Sequence, residues 1–320
     1  MASLDDDCWV MNTLVVITGP TAVGKTELCL NIAESYGIPI INADSRQIYS
    51  DMHIGTASPT EEQLRRVKHH FVGNLHLGDY YNASMFEQDV LHVLEKEFDG
   101  RNDHIALMTG GSMMYIDAVC NGIDDIPTIT DDVRQWMKQR LESEGLERLC
   151  EELHLMDPEY YAIVDRHNTR RVVHALEICH QTGNTFTSYR VRERKQRPFA
   201  IVKIALNRER EVLYERINRR VDSMMAAGLE DEARRLLPYR HENALNTVGY
   251  KELFAYFDGI WPLDEAVERI KGNTRRYARK QLTWFKRDPA VRWFDADDNK
   301  EIMTYISEEW SRIQKTTEVR

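Results

Sequence analysis

The segment that most constrains the fold of this chain is the string GPTAVGKT at residues 19–26. It matches G-x-x-x-x-G-K-[ST], a glycine-rich loop whose backbone N–H groups surround a phosphate. The apolar run from Thr13 to Thr18 predicts a buried parallel strand before the loop, and the residues from Lys25 to about Tyr36 predict a helix after it. This order predicts a site that holds a di- or triphosphate, and a small-molecule kinase is the default interpretation of the loop alone.

The rest of the chain predicts a P-loop NTPase-like α/β core. Further strands are predicted at residues 38–44, 104–111 and 199–206, and because helices separate them the sheet should be parallel. Residues 131–197 have dense charge and helical periodicity, which predicts a helical insertion. After residue 207 the chain is again predicted to be almost entirely helical. We therefore assign residues 11–130 and 198–320 to the core with a helical C-terminal part, and residues 131–197 to the insertion.

Charge is distributed unevenly. The 320-residue chain has a net charge of -10, which argues against nonspecific binding of polyanions. Between Arg269 and Arg287, however, there are eight basic residues and no acidic one. This cationic segment is the part of the chain best suited to contact a phosphate backbone.

Several site classes are disfavoured by the sequence. No run approaches the roughly 18 to 20 apolar residues of a membrane span, and the first residues are acidic, so we expect a cytoplasmic protein without a leader. The five cysteines never form C-x-x-C, which argues against a disulfide framework or a structural zinc site. The adjacent His69 and His70 are interpreted as surface or locally hydrogen-bonded residues.

A resemblance to a known family extends from about Leu14 to Phe294. The strings GPTAVGKT, NADSRQIY (42–49) and IGTASP (54–59) occur in that order, and they are followed by GGSMMY (110–115), RRVVHALEI (170–178), LYERINRRVDSMMAAGLEDE (213–232), VGYKE (248–252) and TRRYARKQLTWFKRD (274–288). Together they resemble the bacterial tRNA dimethylallyltransferases. Ser112 stands where that family usually has Thr, and residues 167–169 depart from its usual Asn-Asp-Pro step. The zinc finger of the eukaryotic members has no counterpart, so the resemblance is to the bacterial type.

The resemblance implies transfer of a dimethylallyl group from dimethylallyl diphosphate to N6 of the adenosine at tRNA position 37, next to the anticodon, with release of pyrophosphate. The implied cofactor is Mg²⁺, the implied partner is the tRNA anticodon stem-loop, and we take the enzyme to be a monomer. Two alternatives stay open at this point. One is an adenylate isopentenyltransferase that acts on free nucleotides, and the other is a P-loop kinase.

Two sets of residues are predicted to serve this reaction. Asp44 is the candidate general base, with a water-mediated contact to Mg²⁺ as its alternative role; Lys25 and the Ser112 hydroxyl complete the catalytic set, and Thr26 is the expected metal ligand. The diphosphate should contact the loop and a pair of helix arginines, which would otherwise be solvated surface charges: Gly19, Pro20, Thr21, Ala22, Val23, Gly24, Lys25, Thr26, Arg216 and Arg220.

The tRNA is predicted to contact residues in several segments. Tyr277 and Trp284 are predicted either to stack on bases or to pack in the core. The predicted tRNA-binding residues are Asp44, Ser45, Arg46, Gln47, Ser112, Arg134, Arg170, Arg171, His174, Val248, Gly249, Tyr250, Lys251, Arg275, Arg276 and Arg279.

Overall fold

Among the residues that the computed structural model describes, 11–99, 104–191 and 193–317, apolar segments form a six-stranded, wholly parallel sheet. The order of its strands is β3-β2-β4-β1-β5-β6. All six residues of β1 are buried, as expected for a strand paired on both sides. The strands are β1 (Thr13–Thr18), β2 (Ile40–Asn42), β3 (His69–His70), β4 (Ile105–Thr109), β5 (Ala200–Asn207) and β6 (Val291–Asp295).

The described chain divides into two units, one up to Cys120 and from Arg197 onward, the other Asn121–Gln196. The first unit contains the sheet and the helices α1 (Lys25–Tyr36), α2 (Glu61–Arg66), α3 (Ala83–Asp99), α4 (Met113–Asn121), α9 (Arg210–Ala226), α10 (Leu229–Leu236), α11 (Tyr250–Phe257), α12 (Leu263–Phe285) and α13 (Asn299–Thr317). The second unit contains α5 (Asp131–Met156), α6 (Pro158–Ile163), α7 (Thr169–Thr182) and α8 (Phe186–Tyr189).

Helices cover both faces of the sheet. Because successive side chains of a strand point to opposite faces, Val15 and Ile17 of β1 pack with residues of α1 and α13, whereas Leu14 and Val16 pack with residues of α3 and α4. The predicted α/β class with a parallel sheet is therefore confirmed. The carboxyl ends of all the parallel strands lie on the same side of the sheet, and ligands bind beside these strand ends in this architecture.

Two short edge strands depart from the prediction. The C-terminal part is not almost entirely helical, because Val291–Asp295 forms β6 beside β5. Only Phe294 of this strand is buried, and so short a segment with one buried apolar residue gives little periodic signal. His69 and His70 form β3 at the opposite edge of the sheet.

The second unit has its own apolar core. Residues of α5, α6, α7 and α8 form it, among them Met137, Leu149 and Leu176. α5 is interrupted at Gly145, whose φ of 81° is left-handed. The buried Asp157 carboxylate accepts hydrogen bonds from the backbone N–H groups of Tyr160 and Thr187 and from the Thr187 hydroxyl, and so joins α6 to α8.

Candidate active site

The glycine-rich loop lies between β1 and α1, where the sequence predicts it. Gly19 has φ 142°, and a Cβ there would lie 2.8 Å from the carbonyl oxygen of Leu206, so a larger residue does not fit. Lys25, the first residue of α1, donates from Nζ to the carbonyl oxygens of Gly19 and Pro20 at 2.9 Å each. The lysine therefore closes the loop on itself at the positive end of the α1 dipole.

Two arginines hold the outer side of the loop. Arg216 Nε donates to the carbonyl oxygen of Ala22 at 2.8 Å, and Arg208 Nε donates to that of Val23 at 2.6 Å. The Arg208 guanidinium is itself held by Asp297 at 2.5 and 2.6 Å. These contacts keep Ala22 at φ 63°, a left-handed conformation that costs free energy for a residue with a Cβ. Hydrogen bonds within the protein therefore hold the loop in a shape that can bind an anion.

The loop opens onto a cavity of about 490 Å³ in the first unit. Four basic residues line it, and they outnumber the two acidic ones, which suits a polyanionic ligand. The lining residues are Thr21, Ala22, Gly24, Lys25, Thr26, Glu27, Cys29, Ile40, Asn42, Asp44, Gln47, Thr56, Ala57, Pro59, Gln63, His69, Thr109, Gly110, Gly111, Arg216, Arg219, Arg220, Tyr277 and Gln281.

Burial perturbs the cations of this cavity. Burial above all, and then the charge of Arg220, lowers the pKa of Lys25 to about 8, while Cys29 and Asp44 act in the opposite direction. Burial also lowers the pKa of Arg220, again opposed by Asp44. Keeping these buried side chains charged therefore costs free energy, and a bound anion would offset that cost. Of the predicted pair of helix arginines, Arg220 is the more enclosed, whereas Arg216 is exposed and holds the loop.

Asp44 follows β2 and faces the same cavity. Its Oδ1 accepts hydrogen bonds from the backbone N–H groups of Arg46 at 2.9 Å and of Gln47 at 3.4 Å. Among the described residues, no donor reaches its Oδ2. One carboxylate oxygen thus fixes the orientation of the side chain, and the other can accept a proton from a ligand.

A second glycine turn packs directly on the end of β2. A Cβ on Gly110 would lie 2.1 Å from the carbonyl oxygen of Ala43, and that oxygen accepts a hydrogen bond from Ser112 N at 3.1 Å. The Ser112 hydroxyl accepts from Ser45 N at 2.7 Å and donates to Ser45 Oγ at 3.0 Å. Ser112 and Ser45 therefore connect the second glycine turn to the turn that follows β2. Neither of them lines the cavity.

The amide of Gln47 is committed to protein contacts. Its Nε2 donates to the carbonyl oxygens of Thr56 and Ala57 at 3.0 and 3.1 Å, and its Oε1 accepts from Asn42 Nδ2 at 3.1 Å. The resemblance predicts that Gln47 contacts the target base, and Gln47 does line the cavity. In this structure, however, its amide fixes the segment at 52–59, which forms one wall of the cavity.

Helix α12 supplies one site residue that the sequence analysis missed, Gln281, and one that it named, Tyr277. The buried Gln281 accepts from Thr21 N at 2.9 Å and donates to the carbonyl oxygen of Gly111 at 2.8 Å, so it joins the phosphate loop to the second glycine turn. Tyr277 also lines the cavity and donates to the carbonyl oxygen of Gly111 at 3.2 Å. Trp284 instead packs with the core and donates to Asp117. In the sequence, the only indication that Gln281 belongs to the site is its position at i+4 from Tyr277, on the same face of α12.

Several residues predicted to bind tRNA have other surroundings. Tyr250 is fully buried and donates from its hydroxyl to Glu232 at 2.7 Å, so it belongs to the core and cannot contact RNA in this conformation. Gly249 is buried beside it. Arg275 is partly buried and donates to Asn218 Oδ1 at 2.6 Å. Of the residues predicted to bind tRNA in these two segments, Lys251, Arg276 and Arg279 are exposed.

The predicted cluster of the insertion lies at the start of α7. Arg170, Arg171 and His174 are all exposed on this helix of the second unit, and His174 contacts Glu177 at 3.4 Å. Arg134 lies on α5 of the same unit. Their exposure leaves the three α7 side chains accessible to a large ligand.

Residues 47–288 match the family model of IPP transferase. The chain belongs to the IPP transferase family. It is 56% identical over 96% of its length to tRNA dimethylallyltransferase 1 of Bacteroides thetaiotaomicron, of which it covers 97%. It is 59% identical over 92% of its length to tRNA dimethylallyltransferase 1 of Phocaeicola vulgatus, of which it covers 98%. The expected family is thus confirmed.

Solved structures share the fold of this chain. The crystal structure of the full-length tRNA isopentenylpyrophosphate transferase of Bacillus halodurans aligns with a TM-score of 0.69 at 35% identity, over 95% of this chain and 99% of that one. A eukaryotic dimethylallyltransferase acting on tRNA aligns with a TM-score of 0.74 at 24% identity, over 93% of this chain and 77% of that one, and supports the fold alone. No helix in the described part of the chain is long and apolar enough to span a membrane.

Proposed function

We propose that this protein transfers the dimethylallyl group of dimethylallyl diphosphate to N6 of adenosine 37 in tRNA and releases pyrophosphate. One observation carries the proposal: a carboxylate with an open oxygen, Asp44, shares one cavity with the phosphate loop and Arg220. The charge of Asp44 acts on both Lys25 and Arg220, so base and cations lie within one electrostatic site. The relatives named as tRNA dimethylallyltransferases support the choice of substrate.

The reaction requires a base at one end of the cavity and cations at the other. The N6 amino group attacks C1 of the allylic chain, the C–N bond forms as the C–O bond to diphosphate breaks, and Asp44 Oδ2 takes the proton from N6. Lys25, Arg220 and the backbone of the loop stabilise the charge that develops on the leaving pyrophosphate. Because these donors are held by the protein, little reorganisation accompanies the reaction.

Mg²⁺ is part of the proposal. Hard oxygen donors suit this ion, and the Thr26 hydroxyl and the Asp44 carboxylate both line the cavity beside the loop. Among the described residues, no group of three or more His, Cys, Asp or Glu side chains could hold a metal. The Thr26 hydroxyl would supply a protein ligand to an Mg²⁺ ion that arrives with the diphosphate. When bound, Mg²⁺ would neutralise charge on the diphosphate.

The test is incubation of the purified protein with Mg²⁺, labelled dimethylallyl diphosphate and unmodified tRNA, with AMP and ATP in parallel. We expect label on tRNA and one pyrophosphate released per label. Label on AMP alone would indicate a free-nucleotide enzyme, and ATP consumption without a prenyl product would indicate a kinase. The same assay applied to Asp44→Asn tests the candidate base. Its matched control is Asp264→Asn, which removes an exposed carboxylate at the start of α12.

A further inference from the structure

A buried carboxylate that does not line the cavity holds the segment that forms one of the cavity walls. Glu232 of α10 is 2% exposed. Its Oε2 accepts from the backbone N–H groups of His53 at 3.1 Å and Ile54 at 2.8 Å, and its Oε1 accepts from Gly55 N at 2.8 Å and the Tyr250 hydroxyl at 2.7 Å. Three consecutive amides and one phenol thus converge on a single carboxylate.

The segment that Glu232 holds is continuous with the site. Its next residues, Thr56 and Ala57, line the cavity and accept the two hydrogen bonds that Gln47 Nε2 donates. Gln47 N in turn donates to Asp44 Oδ1. A chain of hydrogen bonds therefore runs from Glu232 through the 53–57 backbone to the candidate base.

The packing around this segment leaves little room for another arrangement. A Cβ on Gly55 would lie 2.6 Å from the Tyr250 ring, so the backbone lies flat on that ring. Ala57 is held at φ 50°, a left-handed conformation that relaxes unless its surroundings fix it. Removing the acceptor of three partly buried amides would leave these donors without their partner, at a cost in free energy.

We infer that Glu232 is a positioning residue, which sets the orientation of Gln47 and Asp44 by anchoring the 53–57 segment; its effect on turnover rests on the proposed function. A glutamine cannot replace it, because a carboxamide has a single acceptor oxygen and its NH₂ group would face N–H donors. A displacement of about 1 Å in a reacting group can cost up to about a hundredfold in rate.

The experiment compares Glu232→Gln with Glu230→Gln, which removes a partly buried carboxylate paired with the exposed Arg234 on the same helix. In Glu232→Gln we expect faster hydrogen exchange of the amides at 53–55, by about tenfold or more, and kcat for tRNA prenylation lower by about ten- to a hundredfold. The Kd of a diphosphate analogue should change less than about threefold, because the phosphate loop is held by other residues. Glu230→Gln should match the wild type in all three.

Faster exchange with an unchanged kcat would overturn the inference, as would a lower kcat with unchanged exchange. If Glu232→Gln does not fold, Tyr250→Phe tests the same point, because it keeps the ring under Gly55 and removes one donor. It should raise amide exchange at 53–55 and lower kcat by about threefold, without raising KM for tRNA. A change in KM alone would favour direct RNA contact by Tyr250. If the wild type does not prenylate tRNA, the proposed function fails, and the exchange measurement still tests the anchoring.

Discussion

The lowered pKa of Lys25 predicts how diphosphate affinity depends on pH. In the empty site the pKa of Lys25 is about 8. In the complex the diphosphate should keep this lysine protonated, because an adjacent anion favours its charged form. Affinity should therefore change little from pH 7 to pH 8 and fall above pH 8. At pH 9 about one tenth of Lys25 remains protonated in the empty site, so Kd should be about tenfold higher than at pH 7, or about 1.4 kcal/mol.

Calorimetry with a non-reactive diphosphate monoester measures this pH dependence of Kd. The last ionisation of such a ligand is near that of a phosphate monoester, about 6, so its charge is nearly constant between pH 7 and pH 9. At pH 8, in two buffers of different ionisation enthalpy, binding should take up about half a proton. Lys25→Arg should abolish the slope, because arginine stays charged throughout this range. Arg220→Gln should move the midpoint to higher pH, since the charge of Arg220 lowers the pKa of Lys25. Equal affinities at pH 7 and pH 9, or a Lys25→Arg variant with the wild-type slope, would refute the reasoning.

Three further outcomes are expected. Asp44→Asn should lower the single-turnover rate by about 10² to 10⁴ while tRNA affinity stays within a few-fold; a retained rate would remove Asp44 as the base. Joint replacement of the exposed Arg276, Arg279 and Lys280 by Gln should reduce the salt slope of tRNA binding by about 0.7 to 0.9 for each phosphate that the variant no longer neutralises; an unchanged slope would place this face away from the RNA. Glu87→Ala should cost about 3 to 5 kcal/mol in urea unfolding, because it leaves Arg197 buried without its 2.6 Å partner; a decrease below 1 kcal/mol would contradict this.

The sequence predicts best where the site is contiguous. The loop at 19–26 is recognisable because one short segment contains the glycines, the lysine and the flanking strand and helix. Asp44 lies on the cavity at the end of a parallel strand, a defined place for ligand-facing residues in this fold, and its role as the base stays a prediction.

The supporting residues could not be predicted in this way. Gln281 contacts Thr21 across 260 positions, and Glu232 contacts Gly55 across 177. In the sequence each is one polar residue among many on an amphipathic helix, and nothing local separates a buried hydrogen-bonding partner from a solvated one. Tyr250 illustrates the converse error: its place in a family string suggested RNA contact, whereas burial against Gly55 decides its role.

The contact between Gly110 and Ala43 brings the second glycine turn against the end of β2 through main-chain atoms. Because no Cβ fits there, backbone atoms set the closest approach of the base and the second turn, and the Ser112 and Ser45 hydroxyls add hydrogen bonds between the same segments. Substitutions of side chains on the cavity wall can therefore change substrate preference without changing the distance between Asp44 and the second glycine turn. Gly110 itself should tolerate no replacement, and in a saturation library it should behave like a catalytic residue although it contributes no functional group.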